Sequence, residues 1–316
     1  LETIEEDFNG FNNSEEEPQS ITQSLELGGE NSKEITFEEA SNQLQSDDPW
    51  LQRKMADKKE NTTVSGNVMF YQNPQPLTKD KHQKFGVSPI AKPFEFMADQ
   101  HFMPLTAPEF GAAAASYPII FAGEERNPLA VMGVRTGENL FVNDGEFEQD
   151  FYLPAFARRF PFVLANDKPN GRFVVCVDEG AKCVTSKKPQ QKFFDGDDTS
   201  AFTKEAFQFL QNFERDRQAT ERMIGVFKEL DLFEQKEMNF QGQNADGTPA
   251  EQQRIADYYA ITEDKLKGLS AEKLKEFTDN GYLAVAHSHM VSLGNWQRLV
   301  NKTLRRVNDA AAAEKK

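Results

Sequence analysis

The chain has 316 residues, a formal net charge of −15 and a mean hydropathy of −0.67, a length that allows one large domain or two ordinary ones. An acidic balance argues against nucleic acid as a partner, because neutralising phosphates supplies most of that affinity, and it argues equally against anionic lipid. No apolar run approaches the roughly 18 residues that cross a bilayer, so direct insertion into a membrane is not expected.

The charge is unevenly spread. Residues 1–54 carry fourteen Asp and Glu against Lys33, Arg53 and Lys54, a net −11, which leaves −4 for the rest. Few apolar residues and high net charge cannot offset the entropy of ordering, so residues 1–66 read as an acidic leader that is disordered on its own. Met55 and the residues after it resemble an ordinary protein start, so residues 1–54 are expected to be an extension or a fused segment on a domain that can begin near Met55. Residues 32–44 could form a helix on contact, capped by Ser32 or Thr36 and ended at Asp48-Pro49. The leader's aromatic residues Phe8, Phe11, Phe37 and Trp50 are spaced as partner-binding candidates. The competing reading is a solvated tail.

The folded domain is expected over residues 67–308, followed by a charged tail at 309–316. Residues 68–71 read as a short strand broken by Asn73-Pro-Gln-Pro76. Residues 82–86 and 89–96 read as extended, and 108–116 as a short helix with Pro in its first turn. Residues 117–122 and 129–136 are apolar or β-branched runs of strand length, and 136–139 turn the second into 140–143 as a hairpin. A two-turn helix fits between Pro154 and Pro161, and a Val-rich strand fits 172–178. From Asp197 to about Phe233 apolar residues recur at helical spacing, interrupted by a polar middle at 215–222. That is two helices, or one with an exposed waist. Residues 236–240 read as a strand, 241–252 as a polar loop, 258–269 and 271–278 as helices with Ser270 capping the second, and 282–307 as a final helix. Strands early and helices late give an α+β fold: a central, mostly antiparallel sheet with helices packed on it and a mainly helical C-terminal half.

Several blocks recur together in a recognisable order. They are Phe70-Tyr71, Pro76-Leu77 and His82; Glu109-Phe110 leading to Tyr117-Pro118-Ile119-Ile120-Phe121; Gly133 with Asn139-Leu140-Phe141-Val142; Phe151-Tyr152-Leu153-Pro154-Ala155-Phe156 with Arg158-Arg159-Phe160-Pro161-Phe162; and His289 with Ser292-Leu293 and Asn295. Over residues 67–304 the chain resembles the SapC family of bacterial proteins, named for an association with surface (S-) layers. The resemblance implies a cytosolic or envelope-associated accessory role and no assigned reaction.

Three constellations carry candidate chemistry. Gly281 followed by His287 and His289 matches the first half of a cupin metal motif. On a strand both imidazoles share a face and could reach one ion; on a helix they lie about 200° apart and cannot. Arg158 and Arg159, fixed by flanking Phe and Pro, suit a phosphate or carboxylate ligand, the alternative being ion pairs to Glu109 or Asp150. His82, Glu109 and Tyr152 could form an acid–base site only if the fold brings them together. Cys176 and Cys183 read as two reduced residues or as a disulfide across a turn, with no second Cys/His pair for zinc. No nucleophile elbow, phosphate loop or dinucleotide turn is present, and no cofactor is expected.

Two functions follow. One is a non-catalytic accessory protein of a bacterial envelope- or nutrient-uptake-associated complex, in the cytoplasm or at the envelope, whose acidic leader binds a protein partner, with membrane-complex components among the candidates. The other is a small-ligand-binding protein or an enzyme acting on glycan or amino-acid derivatives, with or without a metal.

Overall fold

The computed structural model describes residues 69–167, 172–243 and 249–314. The expected leader, the helix expected over 32–44 and Phe8, Phe11, Phe37 and Trp50 lie outside the described residues, as do residues 244–248; the rest of the loop expected over 241–252 is strand, at 241–243 and 249–252. The strands longer than two residues are β1 (Pro74–Pro76), β2 (Phe102–Pro104), β3 (Ile119–Ala122), β4 (Asn127–Val131), β5 (Phe162–Asp167), β6 (Arg172–Asp178), β7 (Phe233–Gln243) and β8 (Pro249–Ile261). The helices are α1 (Lys79–His82), α2 (Phe110–Ala114), α3 (Ala155–Arg158), α4 (Ala201–Glu229), α5 (Glu263–Lys267), α6 (Ala271–Asp279), α7 (Tyr282–Ser292) and α8 (Trp296–Glu314). The fold is α+β, and every strand pairing among the described residues is antiparallel.

A five-stranded sheet in the order β7-β8-β3-β4-β2 carries the main core, and a three-stranded sheet, β1-β6-β5, carries a second. Helix α4 serves both. Its Phe207 and Leu210 pack on the smaller sheet, while Phe213, Met223, Ile224 and Phe227 belong to the larger core. It is one continuous helix of 29 residues. Its polar middle is exposed along one side, at Arg215, Glu221 and Arg222, while Glu214 and Arg217 are half-buried and Thr220 is buried where the helix passes from one core to the other.

Several expectations are corrected by long-range pairing. Residues 69 and 70 form a turn, with Phe70 at φ 50°, and the strand lies instead at Pro74–Pro76, the segment read as a breaker. Proline is tolerated there because β1 is a sheet edge; Asn73 and Leu77 continue the ladder with Glu179 and Val175. Residues 79–82 are helical, the backbone N–H of His82 closing on the Thr78 carbonyl at 2.9 Å. Residues 140–143 form no strand ladder with 129–136, although the Leu140 N–H donates to the Met132 carbonyl at 2.8 Å. Hairpins form instead through the turn between β3 and β4, and through Asp144-Gly145, whose φ angles of 47° and 80° suit a type I′ turn. Residues 258–261 are strand, not helix: β7 and β8 form one long hairpin from Phe233↔Ile261 outward, and Tyr258 and Ala260 alternate inward with period two. An apolar run that short does not separate the two periods. The final helix breaks at a 3-10 turn, Leu293–Asn295, and α8 then runs to Glu314 through alanines that favour helix.

The joint between β3 and β8 is thin, with Tyr259↔Phe121 as its one register pair. Helix α7 completes it. Buried His289 donates from Nδ1 to the Ile119 carbonyl at 2.8 Å and accepts the Ile261 N–H at Nε2 at 3.1 Å. Ser292 Oγ accepts the Ile119 N–H at 2.9 Å. Asn295 donates to the carbonyls of Ala114 and Tyr117, at 2.7 and 3.1 Å. The ring must be neutral to do both jobs, and burial pushes its pKa down to about 4; burial does the same for His101.

Because the folded pKa lies below the unfolded value, the unfolded chain binds more protons as pH falls through the interval from about 6.5 to about 4, and stability is lost across it. Between pH 7.5 and pH 5, His289 alone accounts for a loss of about 2 kcal/mol. Urea unfolding at the two pH values is expected to show that loss, with His289→Gln less stable at pH 7.5 but losing about 2 kcal/mol less on acidification. An unchanged pH dependence in the variant would refute the assignment.

Candidate functional site

The Phe- and Pro-rich segment around residues 152–162 is held by one carboxylate. Glu109, buried just ahead of α2, closes a capping box with Thr106. Its Oε2 accepts the Thr106 N–H and hydroxyl, both at 2.8 Å. Its Oε1 accepts the Tyr152 hydroxyl at 3.0 Å and the Ala155 N–H at 2.7 Å, the latter an otherwise unpaired donor at the start of α3. Arg158 donates from Nη2 to the Tyr152 hydroxyl at 3.0 Å and from Nε to the Leu153 carbonyl at 3.1 Å. Glu109, Tyr152 and Arg158 therefore meet, as a chain of carboxylate, phenol and guanidinium. Burial, then the Glu109 charge, pushes the Tyr152 phenol up to about 12. With its carboxylate saturated and its phenol held protonated, the trio positions the segment; it is not built to pass protons near neutral pH.

His82 is elsewhere. It is buried on α1, with Nε2 against Glu179 Oε1 at 2.9 Å and Nδ1 accepting the Thr78 N–H at 3.2 Å. His287 and His289 lie on helix α7, not on a strand. His287 is exposed with Nδ1 2.8 Å from the Leu283 carbonyl, and His289 is consumed by the clamp on β3, so the two do not face one ion. Among the described residues no cluster of three or more His, Cys, Asp or Glu could hold a metal, and Cys176 and Cys183 are free thiols.

Arg158 and Arg159, adjacent in sequence at the end of α3, turn to different cavities. Neither makes an ion pair with Glu109 or Asp150; Arg158 reaches Glu109 only through Tyr152. Arg158 borders a wide apolar cleft of about 500 Å³ formed by Ile90, Phe94, Phe96, Phe160 and Phe202, with Cys183 on its wall. Arg159 is 9% exposed. Its guanidinium lies 3.8 Å from the centroid of the Phe156 ring and within 5.6 Å of those of Tyr71 and Phe213. Burial lowers its pKa, opposed by the Tyr71 hydroxyl and the Glu214 charge. Its Nε and Nη2 are buried and have no hydrogen-bond partner among the described residues.

Those two nitrogens belong to a residue lining a cavity of about 390 Å³ between the two cores. Strand β2 and the residues after it contribute Leu105 and Thr106, the smaller sheet Val163 and Phe173, and α4 Leu210, Phe213 and the polar middle. The other charges there are spoken for. Arg217 grips Glu214 with Nε and Nη2, at 2.8 and 2.7 Å, and reaches Glu221 with Nη1. Thr220 Oγ1 accepts the Ala107 N–H at 2.8 Å and donates to the Asp216 carbonyl at 2.6 Å. The wall residues Phe173, Phe213, Glu214, Arg217 and Glu221 are not among the sequence candidates. The one signal for Arg217 and Glu221 is the polar interruption at 215–222 in the apolar period of α4.

A family model described as SapC matches residues 77–299, inside the span over which the resemblance was expected. No curated protein and no solved structure matches the chain. No helix among the described residues is long and apolar enough to cross a membrane.

Replacing Glu109 with Gln turns an acceptor pair into one acceptor and one donor facing four donors. Glu109→Gln is expected to lower stability by about 2 kcal/mol, measured by urea unfolding, whereas Arg158→Met, at the exposed end of the chain, is expected to cost well under half of that. Equal costs would show that the carboxylate does not hold the segment.

Proposed function

The chain belongs to the SapC family, and from that premise we propose that it binds a small organic anion in the cavity beside Arg159. The observation that carries this reading is the buried guanidinium with Nε and Nη2 unpartnered. Desolvating a charge without compensating hydrogen bonds costs several kcal/mol, and an apolar side chain of similar volume would be the more stable choice at such a position. A residue that lowers stability while facing a cavity is what a binding site requires and what folding alone does not. The surrounding network supports the same reading, because Glu109 and Tyr152 hold the backbone that presents Arg159, and Phe156 stacks on its face.

A second reading, favoured by the concentration of −11 of the −15 net charge in residues 1–54, is an accessory role. Here the acidic leader engages a protein partner of a bacterial envelope- or uptake-associated complex, at the cytoplasmic side or the envelope. The two readings are compatible.

Arg159→Met tests the first. Without ligand the variant is expected to be at least as stable as the wild type in urea unfolding, since it removes an uncompensated buried charge. Benzoate at a hundredfold excess over its dissociation constant is expected to stabilise the wild type by about 2.7 kcal/mol and leave the variant unmoved. A large loss of stability in Arg159→Met, together with no response of the wild type to benzoate, would overturn it. For the second reading, removing residues 1–54 is expected to reduce the partners recovered in pull-downs while leaving the unfolding midpoint of the domain unchanged. Equal recovery would end that role for the leader.

A further inference from the structure

Resting on the anion-binding reading of the Arg159 cavity, we infer that its ligand is an apolar monocarboxylate, a single carboxylate on an aromatic or branched aliphatic body, without a free ammonium group and without a second negative charge. Four observations carry the class. First, the unpartnered atoms are Nε and Nη2, the two nitrogens of one guanidinium edge. Their N–H bonds run parallel, and that edge is the fork a planar carboxylate accepts through both oxygens.

Second, the two cations and two carboxylates of the wall already sum to zero, and both carboxylates accept from Arg217, so Arg159 is the one cation of the wall without a hydrogen-bonded anion and can meet a single negative charge. A dianionic phosphate ester would bring a second negative charge to a wall that already holds two carboxylates, with no second cation to meet it. Third, an α-amino acid would bring an ammonium group to the same wall. Both of those carboxylates already accept from Arg217, so the ammonium would be desolvated without a free anionic partner. Fourth, the remaining wall is apolar: Phe156, Phe173, Leu210, Phe213 and Ile224. At about 390 Å³ the cavity is between two and three times the roughly 150 Å³ that accommodates a benzene ring, which is space for a ring with a short chain.

Isothermal titration of the full chain with four probes sharing one ring separates these statements: phenylacetate, phenylalanine, phenyl phosphate and phenylacetamide. Phenylacetate is expected to bind at least tenfold more tightly than each of the others. The binding is expected to be lost in Arg159→Met and weakened more than tenfold in Arg159→Lys, which keeps the charge and loses the fork. Arg159→Lys also covers the case in which Arg159→Met fails to fold, with far-UV circular dichroism as the check. Tighter binding of phenyl phosphate would overturn the monocarboxylate class while leaving an anion site in place. Phenylalanine binding as tightly as phenylacetate would overturn the exclusion of the ammonium group, again leaving the anion site. Equal binding of phenylacetamide, silence from all four probes, or phenylacetate binding that survives both substitutions would overturn the anion reading itself.

Discussion

The backbone at the start of β3 is buried and must be paired, and the strand that should pair it, β8, touches it at a single register position. Everything near the site depends on how that shortfall is met. His289, Ser292 and Asn295, spaced three apart, satisfy the N–H and carbonyl of Ile119 and the carbonyls of Ala114 and Tyr117. One helix face thus stands in for a missing strand partner. Leaving such groups unpaired would cost about 1–3 kcal/mol each, so α7 is anchored to the sheet by polar contacts as much as by packing. The spacing of the three residues is helical, which is also why His289 has no role to share with His287.

From that anchor the order passes to the site. Asn295, with Arg298 donating to the carbonyls of Ala115 and Ser116, fixes the end of α2. Ser116 Oγ then accepts the Tyr152 N–H at 3.0 Å, the Tyr117 hydroxyl donates to the Tyr152 carbonyl at 2.5 Å, and Glu109 takes the Ala155 N–H. These contacts set the direction of α3, whose last turn sends Arg158 to one cavity and Arg159 to the other. Two nitrogens of the Arg159 guanidinium are left without a hydrogen-bond partner among the described residues because the neighbouring groups are already committed. Phe156 covers one face, and the carboxylates of α4 are held by Arg217. In the polar middle of α4, Glu214 is the largely buried charge and is paired with Arg217, while Glu221 is exposed.

Legibility differed by the range of the interactions involved. Residues 108–116, 172–178 and 271–278 read correctly because local signals, a proline in a first turn, a run of valines and a serine cap, act within a few residues. The block of Phe, Pro and Arg around 151–162 stood out as distinctive, and three of its candidate neighbours, Glu109, Tyr152 and Arg158, do meet. His82 does not join them, since its ring is claimed by Glu179, ninety-seven positions away. Prolines at 74 and 76 looked like a stop because only the sheet shows that β1 is an edge. Residues 258–261 looked helical because four residues are too few to tell a period of two from one of 3.6.

By itself, then, the amino-acid sequence determined the charge split between residues 1–54 and the rest, the α+β class, the family, and which side chains have the chemistry to bind an anion. All of these rest on composition or on contacts within a turn or two. The tertiary structure alone decided that Arg159 faces a cavity while its neighbour Arg158 reaches a phenol, and that two histidines two residues apart share nothing. The cavity wall is assembled from β2, β5, β6, α3 and α4, segments separated by tens of residues. Burial without a partner is a property of that assembly, and no local pattern in the chain encodes it.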